Sequence, residues 1–549
     1  MEKMIVEYKE KKINIDNEIK LSKLFEQEIK ENKYLVVGAI VNNEYRHLDY
    51  IIKEDSEVKL IDISKSEGKK IYRRTLVYIM SKAIEKIYPN LRVSVNYQLP
   101  NAMFCDIEGL DTTSDFINAV EKEMKEIVEK KLPIIQKIMN RKEAEEFYSK
   151  TGTTKGKLQY DLKSNKKIIM YFCEDYFNYT YGVIANNTGV ARAFKLSKYE
   201  NGFLLRFPDS IENEKIEKNI KMKKLSWALS EYDEIHKIVG VNTLYKLKTQ
   251  IEENGPKDII MLDEALHEKK ISEIATKISK NKDIKMVLIA GPSSSGKTTF
   301  AQRLEIQLRL NKIKPVTLSV DNYFVERRDN PLDENGEYDF ETIEAIDLKL
   351  FNDHLTKLLN GEEVKIPQFD FKIGSKIYNG KKVKLNTDEI LVIEGIHCLN
   401  DKLTSKIPQE NKYKIYISAL TVLNIDRYNR ISTTDTRLIR RIARDYQFRG
   451  YSAKHTIATW GKVNNGEKKN IFPYQEEANS IFNTSLIYEL GVLKTIVMPL
   501  LEEIPNTETE YAEARRLINI LKYFKEIPKK YVPTNSLLRE FTGGGDFEY

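Results

Sequence analysis

Glycine and proline are scarce in this 549-residue chain, at 24 and 15 residues. Long flexible linkers are thereby excluded, and domain boundaries have to be read from changes of pattern. There are three cysteines, Cys105, Cys173 and Cys398, far apart and without CxxC spacing. That excludes a disulfide framework and a cysteine-built zinc site. No apolar stretch approaches the ~18–20 residues needed to span a bilayer. The opening MEKMIVEYKEKK has no apolar core of a signal peptide. The expectation is a soluble, cytoplasmic protein without a membrane partner. Neither sign of charge dominates: 89 Lys plus Arg face 82 Asp plus Glu, a formal +7, which makes no strong claim to nucleic acid. Internal repeats and low-complexity blocks are absent. What is present is length, too much for a single core, so that three or four domains are expected. A content of 41% hydrophobic and 31% charged residues is that of a soluble globular protein.

The first sixty-odd residues alternate as short strands around one helix. Met4 to Ile15 reads as a hairpin, Leu21 to Ile29 as a helix, Tyr34 to Val41 as a strand turning at Asn42-Asn43, and Val58 to Ile61 as the closing strand. From Arg73 the period lengthens. Thr75 to Ile87 is helical, and Ser114 to Leu132 carries Phe116, Val120, Met124, Ile127 and Val128 on one stripe. Strands are expected at 167–173 and 202–207, followed by a lysine-studded stretch, 212–225, that reads as a solvated helix face. Bare apolar runs then recur at 285–290, 316–320, 390–393 and 415–417, separated by helical patterns. Buried parallel strands alternating with helices predict a doubly wound α/β domain over about 240–549.

Within that domain Gly291-Pro-Ser293-Ser294-Ser295-Gly296-Lys297-Thr298, followed by Thr299, fits GxxxxGK[ST] in full, between an apolar strand and a helix with Phe300, Leu304 and Leu308 in register. Such a loop points consecutive backbone N–H groups at phosphate oxygens, with Lys297 against the β/γ-phosphates and the Thr298 hydroxyl toward Mg²⁺. A nucleoside triphosphate is implied; its acceptor is not. Two later apolar runs end in carboxylates: the run 316–320 in Asp321, and the run 390–393 in Glu394. Strand tips of this kind surround the ligand in open α/β sheets. Asp321 is placed to take a proton from a substrate hydroxyl or to hold the metal, and Glu394 to hold the metal. A third element carries Arg437, Arg440, Arg441, Arg444 and Arg449 on one broad helical face and the turn after it, and reads as a lid whose guanidinium groups meet phosphate oxygens.

Taken together, these elements resemble the uridine kinase and phosphoribulokinase family of P-loop kinases over residues 285–500. The likeness includes Ser319-Val-Asp321-Asn-Tyr323, Asp339-Phe-Glu341 through Asp347, Ile366-Pro-Gln-Phe369-Asp370-Phe371, Glu394-Gly395 and Arg440-Arg441-x-x-Arg444-Asp445. It implies ATP and Mg²⁺ as cofactors, Asp321 as general base, and Thr298, Asp321 and Glu394 around the metal. Lys297, Arg441 and Arg444 would act on the phosphates. Glu341 would hold ribose hydroxyls, with Tyr323, Phe369, Phe371 and Arg449 also at the substrate. Two positions depart from the family pattern. The histidine that reads the pyrimidine is replaced by Gly374, and an arginine expected two residues after Arg449 is Tyr451. Phosphoryl-transfer parts are retained while base-reading parts are altered.

The front of the chain resembles threonyl-tRNA synthetases. Residues 1–62 are similar to a TGS (β-grasp) domain through 37–46 and 56–62, and residues 70–200 to the editing-type second domain through Ile87-Tyr-Pro89, the helix 121–132, Asp175 and Gly189. In that alignment the family's HxxxH and CxxxH positions fall on Arg74, Tyr78, Thr180 and Ile184. The expected division is 1–65 TGS-like, 66–235 editing-like α+β, and 240–549 P-loop kinase. The leading reading is an ATP-dependent nucleoside 5′-kinase acting on uridine or cytidine. A kinase of another sugar hydroxyl and an RNA-binding switch controlled by a nucleotide stay open. So do RNA contact by the front half and assembly into a homo-oligomer.

Overall fold

The computed structural model describes residues 4–151, 155–162, 165–208, 215–216, 222–333, 336–370 and 373–548. Most of the lysine-studded stretch lies outside them.

The α/β class follows from where the apolar runs go. Five strands, β1 (Met286–Ala290), β2 (Lys314–Ser319), β3 (Glu389–Glu394), β4 (Lys412–Ser418) and β5 (Ser480–Asn483), pair in the order β2-β3-β1-β4-β5, all parallel. Every residue of β1 is buried, as a strand covered on both faces requires. Val287 and Ile289 face α1 (Lys257–Lys280) and α2 (Lys297–Leu310) through Ile271, Ile274, Phe300, Leu304 and Leu308. Met286 and Leu288 face α3 (Leu348–Leu359) through Phe351, Leu355 and Leu358. Strand β5 has no apolar run to announce it. It is a four-residue edge strand whose pairing with β4 is long-range. Two further helices, α4 (Thr433–Arg444) and α5 (Ala453–Asn470), are joined by a π-helical turn, Asp445–Arg449, and Gly450 at φ +68°.

At the front, strands Lys11–Ile15, Met4–Tyr8, Ser56–Asp62, Val36–Val41 and Glu44–Arg46 form one five-stranded sheet in that order, with Met4–Tyr8 parallel to Ser56–Asp62. The helix expected from Thr75 begins earlier, spanning Ser66–Ile87, and with Ser114–Glu129 covers a four-stranded antiparallel sheet. Their shared core joins Leu76, Ile79, Met80, Phe116, Val120 and Met124 to Val95, Cys105, Phe203 and Leu205. The sheet's other face, with Tyr97, Phe104 and Leu204, packs on the helix Lys223–Val239.

Hydrogen bonds cross between the two halves at several places, among them Tyr179 to Asp426, Asn165 to Tyr523 and Lys224 to Ala478, and one group of them gathers at a single strand. Strand Val93–Leu99 bulges between Val95 and Tyr97, which turns backbone groups out of the ladder. Those groups are taken by the loop between β4 and α4. Asn424 Nδ2 donates to Val95 O at 3.0 Å and Asn96 O at 3.2 Å, Arg430 Nε donates to Asn96 O at 3.2 Å, and Val95 N donates to Arg427 O at 2.7 Å. At the amino end of α4, Arg516 forks onto Asp435 at 2.6 and 2.8 Å.

Candidate active site

The loop after β1 is shaped by two glycines. A Cβ on Gly291 would stand 2.3 Å from Ile417 O of β4, and Gly296 sits at φ +86° with Leu537 packed against it. Ser294, also at positive φ, completes the turn that delivers the chain into α2. Lys297 folds back, donating from Nζ to Gly291 O at 3.1 Å. Ser293 is held at three atoms. Its N–H donates to Glu467 Oε1 at 2.8 Å, its carbonyl accepts from Arg437 Nε at 3.0 Å, and its hydroxyl accepts from Arg441 Nη1 at 2.9 Å. Ser294 and Ser295 are buried, Thr298 is half-buried, and Thr299 is held by Glu540.

Strand register brings the carboxylates together. Ser319 and Glu394 are direct partners at the ends of β2 and β3, and the Ser319 hydroxyl donates to Glu394 Oε1 at 2.9 Å. Asp321 follows in the 3-10 turn Val320–Tyr323. Burial, and then the charge of Asp321, push Glu394 up to about 7, against the pull of Lys297. Asp321 is exposed, and the loss of water on the side facing the protein raises its pKa by desolvation, with Lys297 and then Arg449 opposing. Both carboxyls and Lys297 thus share one field at the carboxyl ends of β1, β2 and β3.

The same turn sends Tyr323 the other way. It is fully buried, its hydroxyl lies 3.0 Å from His354 Nδ1, and its ring meets Phe351 edge-on, so it is a core residue rather than a wall of the mouth. Phe369 is also buried, 5.5 Å from Phe324 between centroids. Phe371 lies outside the described residues. Glu341 approaches α5 where Gly466 leaves room: a Cβ there would stand 2.5 Å from the Glu341 Cβ. Burial and the charge of Glu467 push Glu341 up to about 7. At Gly374, φ +74°, the place a side chain would begin is filled by Arg327, whose Nε lies 2.7 Å away. Tyr451 stacks on His455, 4.6 Å between centroids, half exposed.

The arginines do not share one face. Arg437 and Arg440 are fully buried and serve the fold: Arg437 forks onto Glu467, and Arg440 donates to Glu489 Oε2 at 2.5 Å and to Thr484 O at 2.6 Å. Their helix positions point inward because α4 packs on both α5 and the helix Glu489–Glu502. Arg441, Arg444 and Arg449 converge on one buried carboxylate, Asp445, at 3.2, 3.1 and 3.5 Å. Trp460 lies beneath Arg437 and Arg441, 5.3 and 5.9 Å from ring centroid to guanidinium carbon. Asp445 and Glu467 are positioning residues that sequence reasoning gave no role. The first stands inside the arginine run and was legible there; the second carries no local signal.

In the front half the four aligned positions are turned inward. Arg74 Nη1 donates to Val183 O at 2.5 Å and its other nitrogen pairs with Glu67, while Tyr78 OH donates to Tyr171 O at 3.1 Å. Thr180 donates to Gly182 O, and Ile184 is fully buried.

The sequence model of the Phosphoribulokinase / Uridine kinase family matches residues 286–486, which hold the whole site except Glu540. A uridine kinase of Mycoplasma genitalium is 31% identical over 178 residues, 32% of this chain and 74% of that one. The chain belongs to the phosphoribulokinase/uridine kinase family. A solved structure titled a possible uridine kinase, from Bacillus stearothermophilus, is 17% identical, covers 36% of this chain and 88% of that one, and overlays with a TM-score of 0.25. The front of this family member matches other proteins. A threonine–tRNA ligase of Fusobacterium nucleatum is 28% identical over 163 residues, 29% of this chain and 26% of the ligase. The chain spans about a quarter of the length of the ligases it matches. Among the described residues no helix is long and apolar enough to cross a membrane.

Proposed function

We propose that the protein is an ATP-dependent kinase that phosphorylates the 5′-hydroxyl of a ribonucleoside, with uridine and cytidine first in rank. The observation that carries the reading is the meeting of Lys297, Asp321 and Glu394 at neighbouring strand ends beside the phosphate loop. In the proposed reaction Asp321 takes the hydroxyl proton while the hydroxyl oxygen attacks the γ-phosphorus in line. Lys297, Arg441 and Arg444 stabilise charge on the equatorial oxygens, with Asp445 fixing the direction of both guanidinium groups. The Thr298 hydroxyl and the Asp321 and Glu394 carboxylates would hold Mg²⁺. An all-oxygen set suits that hard cation, and a Glu394 carboxyl whose ionisation is opposed by burial and by the Asp321 charge fits a positive charge beside it. When bound, the ion supplies neutralisation of the phosphates. Glu341 is assigned to the ribose hydroxyls and Arg449 to the acceptor side; Tyr323 is left out because its hydroxyl is committed inside the core.

The division into 1–65, 66–235 and 240–549 belongs to this proposal, with the front two units binding or regulating rather than hydrolysing. Support comes from the internal commitments of Arg74, Tyr78 and Thr180. The test is ADP release measured with a panel of nucleosides and with none. Turnover should be slow alone and fast with the acceptor. Equal rates with and without every nucleoside would overturn the reading in favour of a nucleotide switch.

A further inference from the structure

One acidic residue at the phosphate loop has no part in that reaction. The segment 533–545 returns over the amino end of α2. Its Leu537, Leu538 and Phe541 are fully buried. Leu537 Cδ2 lies 2.6 Å from the place a Cβ on Gly296 would occupy, and the Phe541 ring centroid is 4.9 Å from the Arg440 guanidinium carbon. The segment is also tied to the turn after α4, where Gln447 Nε2 donates to Phe541 O at 2.8 Å. From this base Glu540 reaches Thr299. Its Oε2 accepts from the Thr299 hydroxyl at 2.8 Å and from the Thr299 N–H at 3.3 Å, and both residues are buried.

Those two donors are an anion site by construction. N–H groups of a helix's first turn have no partner within the helix, and α2 begins at Lys297. The next amide, that of Phe300, is already bonded to Gly296 O at 3.0 Å. In a phosphate loop the backbone cradles the α- and β-phosphates while the lysine reaches β and γ. Thr299, two residues past Lys297, therefore faces the phosphate nearest the nucleoside. A carboxylate and a phosphate oxygen are both anionic acceptors. They cannot share the same two donors, and side by side they repel.

We propose that Glu540 is an internal phosphate surrogate: its carboxylate occupies the α-phosphate subsite at Thr299, and a nucleotide must displace it to bind. The inference rests on the reading of this loop as a nucleoside-triphosphate site. It gives the carboxyl-terminal segment a function, that of restraining nucleotide affinity.

The test is titration calorimetry of the full chain with ADP, AMP and adenosine, for wild type, Glu540→Gln and Glu540→Asp. Glu540→Gln keeps an acceptor oxygen for the Thr299 N–H and loses the charge. It should bind ADP and AMP about tenfold tighter and adenosine unchanged, whereas Glu540→Asp stays within about twofold of wild type. A plain helix cap predicts the opposite, namely a lower melting temperature in Glu540→Gln with ADP affinity equal or weaker, and that result overturns the proposal. If wild type binds ADP and Glu540→Gln binds it no tighter, this inference alone falls. If no variant binds ADP, the nucleotide reading falls and takes this one with it. Wild-type hydrogen exchange is the check that needs no variant: amides of 536–543 should exchange faster when ADP saturates, and equal or slower exchange counts against the surrogate.

Discussion

The interior around Arg74 and the kinase mouth contain the same kinds of side chain and use them in opposite ways. Around Arg74 the aligned side chains are bonded internally: one guanidinium nitrogen to Val183 O, another to Glu67, Tyr78 to Tyr171 O, Thr180 to Gly182 O. These groups are spent on the fold. At the mouth charge is left over. Three arginines share one carboxylate, Asp445, although each guanidinium has five donors. Asp321 and Glu394 press like charges together beside Lys297. A surplus of charge that the fold itself holds in place is a demand for a ligand; side chains committed to one another's backbone are structure.

The largest effect that would break this contrast is at the mouth. Lys297→Ala should abolish phosphoryl transfer by removing charge from the phosphates, and Asp321→Asn should lower it ~10²–10⁴-fold as the base is lost. Coupled ADP-release assays with saturating nucleoside read both, and an Asp321→Asn enzyme running near the wild-type rate would take the base assignment away. Next come the two kinds of arginine. Arg437→Met strands the buried Glu467 and should cost about 3–5 kcal/mol in chemical denaturation. Arg444→Met, whose carboxylate partner Asp445 keeps Arg441 and Arg449, should cost less than that while slowing transfer. Equal stability losses would erase the distinction drawn between them.

A smaller effect concerns pH. Glu341, pushed up to about 7, is neutral below that value and ionised above it. Only the ionised form is a full acceptor for ribose hydroxyls, so the nucleoside KM should rise about tenfold from pH 8 to pH 6. Glu341→Gln should flatten that profile; a wild-type KM indifferent to pH would remove Glu341 from the acceptor site. Weaker still is base choice. With Gly374 and Tyr451 at altered positions, uridine, cytidine and purine nucleosides should differ only modestly in kcat/KM, and sharp selectivity for uridine would contradict this. The smallest expected effect is none: the purified protein should neither deacylate a mischarged threonine tRNA nor carry zinc. Deacylation that disappears on changing Arg74 or Thr180 would show the region around them to be active after all.

The parallel sheet and its phosphate loop were legible because their signals are local. An apolar run ending at Gly291, a lysine six residues on and a helix in register are contiguous in the chain. Glu394 was readable as the end of an apolar run for the same reason. Strand β5 was not, since four residues at a sheet edge acquire their pairing only from β4, more than sixty positions earlier. Periodicity placed the arginines of α4 on a helix but could not sort them, because what sorts them, Glu467 and Glu489, lies 30 and 49 residues away. Tyr323 shows the same limit in miniature: the 3-10 turn that leaves Asp321 open turns its neighbour into the core, and no pattern in the sequence marks which way a single turn will rotate. Glu540 is 241 residues from Thr299, and only folding reveals it.

The bulged strand Val93–Leu99 has a consequence for how this protein can be recombined. Its turned-out backbone groups are satisfied by Asn424, Arg427 and Arg430, residues that belong by sequence to the kinase half and lead directly into α4. Plug and socket therefore lie on opposite sides of any junction drawn near residue 240. A chimaera that exchanges front halves between relatives has to transplant the stretch 424–430 with the incoming front, or at this strand it will carry two mismatched surfaces beside the start of α4.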